Sequence, residues 1–216
     1  MDFSVARKNM IECQLRPNRV VDEALLASIA DAPRERFLPE ALRGVAYVDE
    51  DLKLSPGRSL LEPVVLGRLL QELQLSSGDA VLDIASGTGY AAAVMARLAG
   101  SVFALESDPA LQARAVELFG EMTLDNVVPV EGGLAAGCAD HAPYSAILIE
   151  GAVESVPAAI LDQLAEGGRL AAVVMDNGIG RATLYRRDGG HLSHRVLFDA
   201  NVPLLDEFRN APEFRL

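Results

Sequence analysis

"VLDIASGTGY", residues 81–90, is an apolar run that reaches a carboxylate and then passes into a turn of small residues. The run reads as a buried strand over 80–84, and the residues after the turn open a helix over about 90–99. A strand, a glycine turn and a helix in that order form the unit that starts a doubly wound parallel sheet. Gly87-Thr88-Gly89-Tyr90-Ala91-Ala92 satisfies G-x-G-x-x-A, a pattern that dinucleotide sites share. Asp83 separates the possible ligands. It stands at the carboxyl end of the strand, where ligands of open α/β sheets bind, and a fixed carboxylate there repels a pyrophosphate and attracts a cation. S-adenosylmethionine carries an ammonium and a sulfonium and no phosphate. Glu106, nineteen residues past Gly87 at the next strand end, is placed to accept both hydroxyls of a ribose. A nicotinamide cofactor would want the same acid, and glycines that merely let strand and helix pack closely are the remaining reading.

Outward from this unit the pattern alternates. Strands are predicted at 101–106, 127–130, 144–150 and 169–174, with helices at 109–121 and 155–165. Asp108 and Pro109 supply a cap and a first-turn proline for the helix at 109–121. "DGG" at 188–190 is a hairpin turn, so 181–187 and 191–205 should close the sheet as antiparallel strands. Upstream, Val21, Leu25, Leu26 and Ile29 give helical spacing over 19–45, with Pro33 and Pro39 opening further turns. Residues 46–61 read as an ordered surface loop, and 62–75 as a helix. The expected fold is α/β: a doubly wound, mostly parallel seven-stranded sheet with antiparallel C-terminal strands and a helical N-terminal lead-in. The expected organisation is one domain over 1–216, with lead-in and cofactor-covering loop at 1–75, cofactor-binding core at 76–175 and closing strands at 176–216.

Composition narrows the partners. The 31 acidic and 19 basic residues leave a formal charge of -12, with no basic cluster beyond pairs such as Arg186-Arg187, which argues against nucleic acid. "MDFSVARKNM" has no apolar core of signal-peptide length, and no window approaches a membrane span, so a soluble cytoplasmic protein is expected. Cys13 and Cys138 share no metal-type spacing and read as two reduced, buried thiols. His191 and His194, three apart in a strand, point to opposite faces and are not expected to share a metal. No feature of the sequence sets an oligomeric state.

"VLDIASGTGYAAAVMARLAGSVFALESDPAL", "LDNVVPVEGGLAAG", "APYSAILIEGA", "VPAAILDQLAEGGRL" and, upstream, "PRERFLP" and "AYVDEDLKL" together resemble the protein-L-isoaspartate O-methyltransferases, from about residue 28 nearly to the end. The closest likeness is to a divergent bacterial branch. The resemblance implies an S-adenosylmethionine-dependent enzyme that methylates the isoaspartyl carboxylate of damaged proteins. It implies a cofactor site of Asp83, Ala85, Ser86, Gly87, Gly89, Glu106, Ser107, Gly133, Leu134 and Glu150. The acceptor would be a carboxylate on a protein or peptide.

Several residues depart from the family pattern. Its loop L-P-I-G-x-G-Q-T-I-S-Q-P faces "LKLSPGRSLLEP", residues 52–63. Leu61 takes the place of the serine expected to touch the acceptor carboxylate. Ser59 keeps a hydroxyl at the threonine position, and Arg58 and Glu62 replace two glutamines. Arg58, Ser59 and Glu62 are therefore the acceptor-side candidates, with Arg58 read as a bidentate carboxylate anchor or, equally, a solvated surface arginine. Ala85 stands at the turn's first glycine, Gly133 at an aspartate beside the adenine, Ser145 at a strand aspartate, and Glu150-Gly151 at a small Thr-Ala pair. These departures leave two alternatives: a methyltransferase with another carboxylate or a small amine as acceptor, or a decayed module that binds without transfer.

Overall fold

The computed structural model describes residues 2–209; Met1 and residues 210–216, counted above with the closing strands, lie outside the described residues. In chain order the elements are α1 (Phe3–Met10), a π-helical turn (Ile11–Leu15), α2 (Glu23–Asp31), β1 (Leu52–Ser55), β2 (Arg58–Leu60), α3 (Pro63–Leu73) and β3 (Ala80–Ile84). There follow α4 (Tyr90–Met95), β4 (Ser101–Glu106), α5 (Pro109–Glu121), β5 (Val127–Glu131), β6 (Tyr144–Val153), α6 (Ala158–Leu161), β7 (Leu164–Asp176), β8 (Ile179–Asp188) and β9 (His191–Asp199).

The expected sheet is present. Its order is β5-β4-β3-β6-β7-β8-β9; the first five strands run parallel, and β8 and β9 add antiparallel. Side-chain alternation explains why β3 is apolar throughout. Val81 packs into the cluster with α2, α3 and α4, while Leu82 and Ile84 pack into the opposite one with Ile160, Leu164 and Leu170. The chain leaves β3 for β4 on one side and later returns to place β6 on the other, so the crevice at β3's carboxyl end is the topological switch point.

Local chemistry sets the helix ends. Asp108 caps α5 by accepting from Ala110 N at 3.0 Å, and Asp22 caps α2 from Ala24 N at 2.9 Å, each worth about 1 kcal/mol. The predicted helix over 19–45 is confined to α2. Arg19 turns the chain at φ +68° and the Gln71 side chain accepts from Val21 N and Asp22 N, so Val21 stays outside the helix and 63% exposed. Pro33 and Pro39 do open turns, both 3-10.

Five further expectations are corrected. Residues 52–60 form a hairpin rather than a surface loop, because Pro56-Gly57 turns the chain and Leu52 pairs with a buried Leu60. The helix at 155–165 shrinks to α6 because Leu164 already pairs with Tyr144 at the start of β7. α4 ends at Met95 and the chain turns to residue 99. β9 stops at Asp199, and the chain crosses back so that Ala152 N donates to Pro203 O and Leu205 N to Ala152 O. Cys13 is exposed, whereas Cys138 is buried.

Candidate active site

Three acids end up on three adjacent strands near their carboxyl ends. Asp83 on β3 lies in register with Leu148 of β6, two residues before Glu150, and Glu106 closes β4 on the other side. All three are buried. The turn after β3 is folded tightly beneath them. Gly87 has φ +56°, and a Cβ there would meet Leu54 Cδ1 at 2.8 Å; Gly89 has φ +88°, and its Cβ would meet Phe119 Cζ at 2.4 Å. Only glycine suits these two positions. Ser86 is buried, and its N–H donates to Leu105 O.

Ala85 has φ +63°, the left-handed region that its Cβ disfavours by roughly 1–2 kcal/mol. The substitution would be free only if this backbone avoided positive φ, and it does not. Ala85→Gly relieves the strain but frees the unfolded chain, which returns about 0.4–1 kcal/mol. The expected result is a melting temperature equal to or up to a few degrees above the native one. A clear fall in a thermal melt would show that the Ala85 methyl makes packing contacts that outweigh its strain.

The acids differ in what satisfies them. Glu106 is fully engaged: Ser107 N donates to Oε1 at 2.7 Å, Asp108 N to Oε1 at 2.9 Å, and Gly87 N to Oε2 at 2.9 Å. No well-placed donor reaches either oxygen of Asp83 or Oε1 of Glu150; the two carboxyls interact with one another, and the Ala92 N–H acts on Asp83. Burial raises the Asp83 carboxyl above the usual range. It raises Glu150 well above that range too, with the Asp83 charge adding to the effect. Two adjoining acids with orphaned oxygens at a switch point are half of an ion-binding arrangement. They suit a ligand that brings N–H donors and positive charge, and so fit the S-adenosylmethionine end that carries its ammonium.

The acceptor-side candidates are placed differently from one another. Arg58 is neither solvated nor open to an acceptor: only 6% exposed, it donates from Nε to Glu106 Oε1 at 3.0 Å and from Nη2 to Ser107 Oγ and Glu207 Oε1, both at 2.8 Å. A guanidinium drawn out of water must be paired, and the nearest carboxylates are on the cofactor side and the C-terminal turn. Ser107 Oγ also donates to Glu207 Oε1 at 2.8 Å. Ser59 points to the face of β2 opposite Arg58 and Leu60. Glu62 is half-buried at the head of α3, and burial together with Asp51, Asp49 and Glu50 pushes its carboxyl up to about 7. Leu61 is fully buried in the apolar cluster. Gly133 borders open space and Leu134 is buried beneath it. Tyr47 packs against α1 and donates to Glu35 while accepting from Arg7 Nε at 2.9 Å.

Two residues brought here were not singled out individually from the sequence. Glu207 arrives through the C-terminal return, and Arg34 through a 3-10 turn packed on the glycine turn, where Thr88 Oγ1 donates to Phe37 O at 2.6 Å. A pattern of repeated partners across many sequences would be needed to find either.

Residues 6–207 match the family model described as "Protein-L-isoaspartate(D-aspartate) O-methyltransferase (PCMT)". The chain belongs to the protein-L-isoaspartate O-methyltransferase family. It is thereby an S-adenosylmethionine-dependent methyltransferase by family. One relative, Protein-L-isoaspartate O-methyltransferase 2 of Anaeromyxobacter sp. (strain Fw109-5), is 41% identical over 164 residues, 76% of this chain and 68% of the relative. Protein-L-isoaspartate O-methyltransferase of Roseiflexus castenholzii (strain DSM 13941 / HLO8) is 36% identical over 206 residues, 95% of this chain and 94% of the relative. Among solved structures, a putative protein-L-isoaspartate O-methyltransferase from Plasmodium falciparum, in complex with S-adenosyl-L-homocysteine, shares the fold with a TM-score of 0.81 at 18% identity. That match covers 96% of this chain and 99% of the other. Within the methyltransferase family, then, this chain combines an alanine at a strained turn position with an arginine clasp on Glu106.

Proposed function

We propose that the chain methylates isoaspartyl carboxylates of proteins or peptides, as a single soluble cytoplasmic domain that does not act on nucleic acid. The orphaned acid oxygens of Asp83 and Glu150 at the switch point carry this reading, because they call for a cationic cofactor. Among the described residues no helix is long and apolar enough to cross a membrane. When bound, the cofactor supplies a methyl group activated by its sulfonium, which passes to a carboxylate oxygen. The acceptor carboxylate is itself the nucleophile, so the protein's task is to hold the two partners in line and keep water out.

The residues divide by that task. Asp83 and Glu150 receive the cofactor's ammonium, the backbone of Ala85, Ser86, Gly87 and Gly89 lets it approach the sheet, and Glu106 with Ser107 lies on the ribose side. Gly133 and Leu134 border the adenine. Arg58 clasps Glu106 and so ties the β1–β2 hairpin to the cofactor pocket, while Ser59 and Glu62 flank the apolar position 61.

Transfer of labelled methyl from S-adenosylmethionine to an isoaspartyl peptide, with its ordinary aspartyl twin as control, tests the reading. Label in the isoaspartyl peptide alone is expected. Equal label in both, or label only in some other class of acceptor, would refute it. Leu61 sets a second expectation. Leu61→Ser removes buried apolar volume, at a cost of about 2–5 kcal/mol in stability. It also offers the acceptor a hydroxyl, whose bond to a charged group is worth about 10- to 100-fold in rate. A lower melting point with a higher kcat/KM on isoaspartyl peptide is the expected pair. Unchanged kcat/KM in a folded variant would mean that position 61 does not reach the acceptor.

A further inference from the structure

Arg34 is a buried cation whose charge acts on Glu150. Its side chain is fully buried. Nε donates to Ala46 O at 2.7 Å, Nη2 donates to Leu61 O at 2.6 Å, and the guanidinium carbon lies 5.0 Å from the centre of the Tyr90 ring, at the start of α4. Both oxygens it satisfies are neutral carbonyls. Nη1 has no partner. Arg34 and Glu150 act on one another electrostatically, yet Glu150 Oε1 is orphaned as well, so the pair is not closed by a hydrogen bond between those two atoms. Asp51 and the hydroxyls of Tyr90 and Tyr47 are the other titratable groups within reach of the guanidinium.

A buried guanidinium with a free N–H and two buried carboxyls with free oxygens are each costly alone. Together they match one ligand chemistry. An α-amino acid in its zwitterionic form presents a carboxylate and an ammonium on one carbon, and would satisfy both sets at once. We propose that Arg34 is the anchor for the α-carboxylate at the methionyl end of the cofactor, opposite Asp83 and Glu150, which hold the ammonium. The assignment rests on the cofactor reading above and adds a residue to it. Arg34 also donates to the carbonyl of Leu61, so the anchor is joined to the loop that carries the acceptor-side position.

Calorimetric titration of the intact chain with three probes tests it: S-adenosylhomocysteine, its decarboxylated amine analogue, and 5′-methylthioadenosine, which lacks the whole amino-acid end. The native chain should bind the amine analogue about 10- to 100-fold more weakly than S-adenosylhomocysteine, the worth of one charged hydrogen bond. Arg34→Gln should weaken S-adenosylhomocysteine by a similar factor and leave 5′-methylthioadenosine unchanged. Equal binding of S-adenosylhomocysteine and the amine analogue by the native chain overturns the proposal, as does an Arg34→Gln variant that weakens all three probes alike. If Arg34→Gln does not fold, the native comparison still decides, and Arg34→Lys provides a second variant that keeps the charge. Binding of none of the three by folded native chain would remove the cofactor reading and this assignment with it; binding of 5′-methylthioadenosine at the same strength as S-adenosylhomocysteine removes this assignment and the ammonium role of Asp83 and Glu150 together, whereas equal binding of S-adenosylhomocysteine and the amine analogue removes this assignment alone.

Discussion

Asp83→Asn is expected to leave the ligand-free protein at least as stable as the native one at pH 8 while weakening S-adenosylhomocysteine about 100-fold. Asp83 is buried with no well-placed donor for either oxygen, and Glu150 and the Ala92 N–H offset only part of the burial, so its ionised form is held against a desolvation penalty that asparagine does not bear. The sign of the pH effect follows. Burial raises the folded-state pKa above that of the unfolded chain, so the folded state retains protons that the unfolded state has released. Stability from this group is therefore complete below the ordinary carboxylate range near pH 4 and is lost as pH rises towards and through neutrality. Glu150 adds a loss of the same sign, raised by its burial and by the charges of Asp83 and Glu106, with Arg34 acting against them. Native and variant should thus melt together at pH 4, and the variant should be the more stable at pH 8 by about 1 kcal/mol or more, the equivalent of one pH unit of titration. The ligand penalty has the opposite origin: the amide cannot offer a second acceptor or a charge to the ammonium, and a broken buried charge contact costs about 3 kcal/mol or more. Parallel melts from pH 4 to pH 8 and a calorimetric titration check both halves. A variant less stable than native at pH 8 would mean that Asp83 has a partner in the folded chain.

Glu106→Ala is expected to act in the reverse way, as a loss of fold. Its carboxylate collects the N–H groups of Gly87, Ser107 and Asp108 and the guanidinium of Arg58. Removing it strands three backbone donors and leaves Arg58 only Ser107, Glu207 and the carbonyl of Gly57. Breaking a buried ion pair from one side costs about 3–5 kcal/mol. At roughly 2–4 °C per kcal/mol for a chain of this size, the melting temperature should fall by about 6–20 °C. Cofactor affinity should fall with it. A shift of only a degree or two would show that the Arg58 clasp is replaced by solvent at little cost.

The placing of the acids and the glycine turn at the candidate cofactor site was legible because it is local. Asp83, Gly87, Gly89 and Glu106 lie within one strand, turn, helix and strand, where period, glycine spacing and the end of an apolar run fix position without knowledge of distant contacts. The acceptor side was not. The β1 and β2 strands are four and three residues long and lie among charges and a Pro-Gly turn, too short for a period to show. Arg58 therefore read as either surface or anchor, and only the fold brings it to Glu106, 48 residues on, and Glu207, 149 residues on. Glu150 entered only through the family resemblance, since nothing local says that β6 continues to Val153 and buries it. Ala85 shows a further limit: a letter in a turn does not reveal its φ. Arg34 sits in a short "PRERF" turn whose burial depends on Ala46, Leu61 and Tyr90.

The most direct test of an acid-lined pocket built for a sulfonium cofactor is calorimetric titration of the folded chain with S-adenosylhomocysteine and, separately, with NAD. Micromolar binding of S-adenosylhomocysteine and no measurable binding of NAD are expected, because Asp83 and Glu150 lie on adjacent strands at the switch point, where a carboxylate repels a pyrophosphate. Binding of NAD at comparable strength, or no heat and no thermal shift with either ligand, would contradict the assignment.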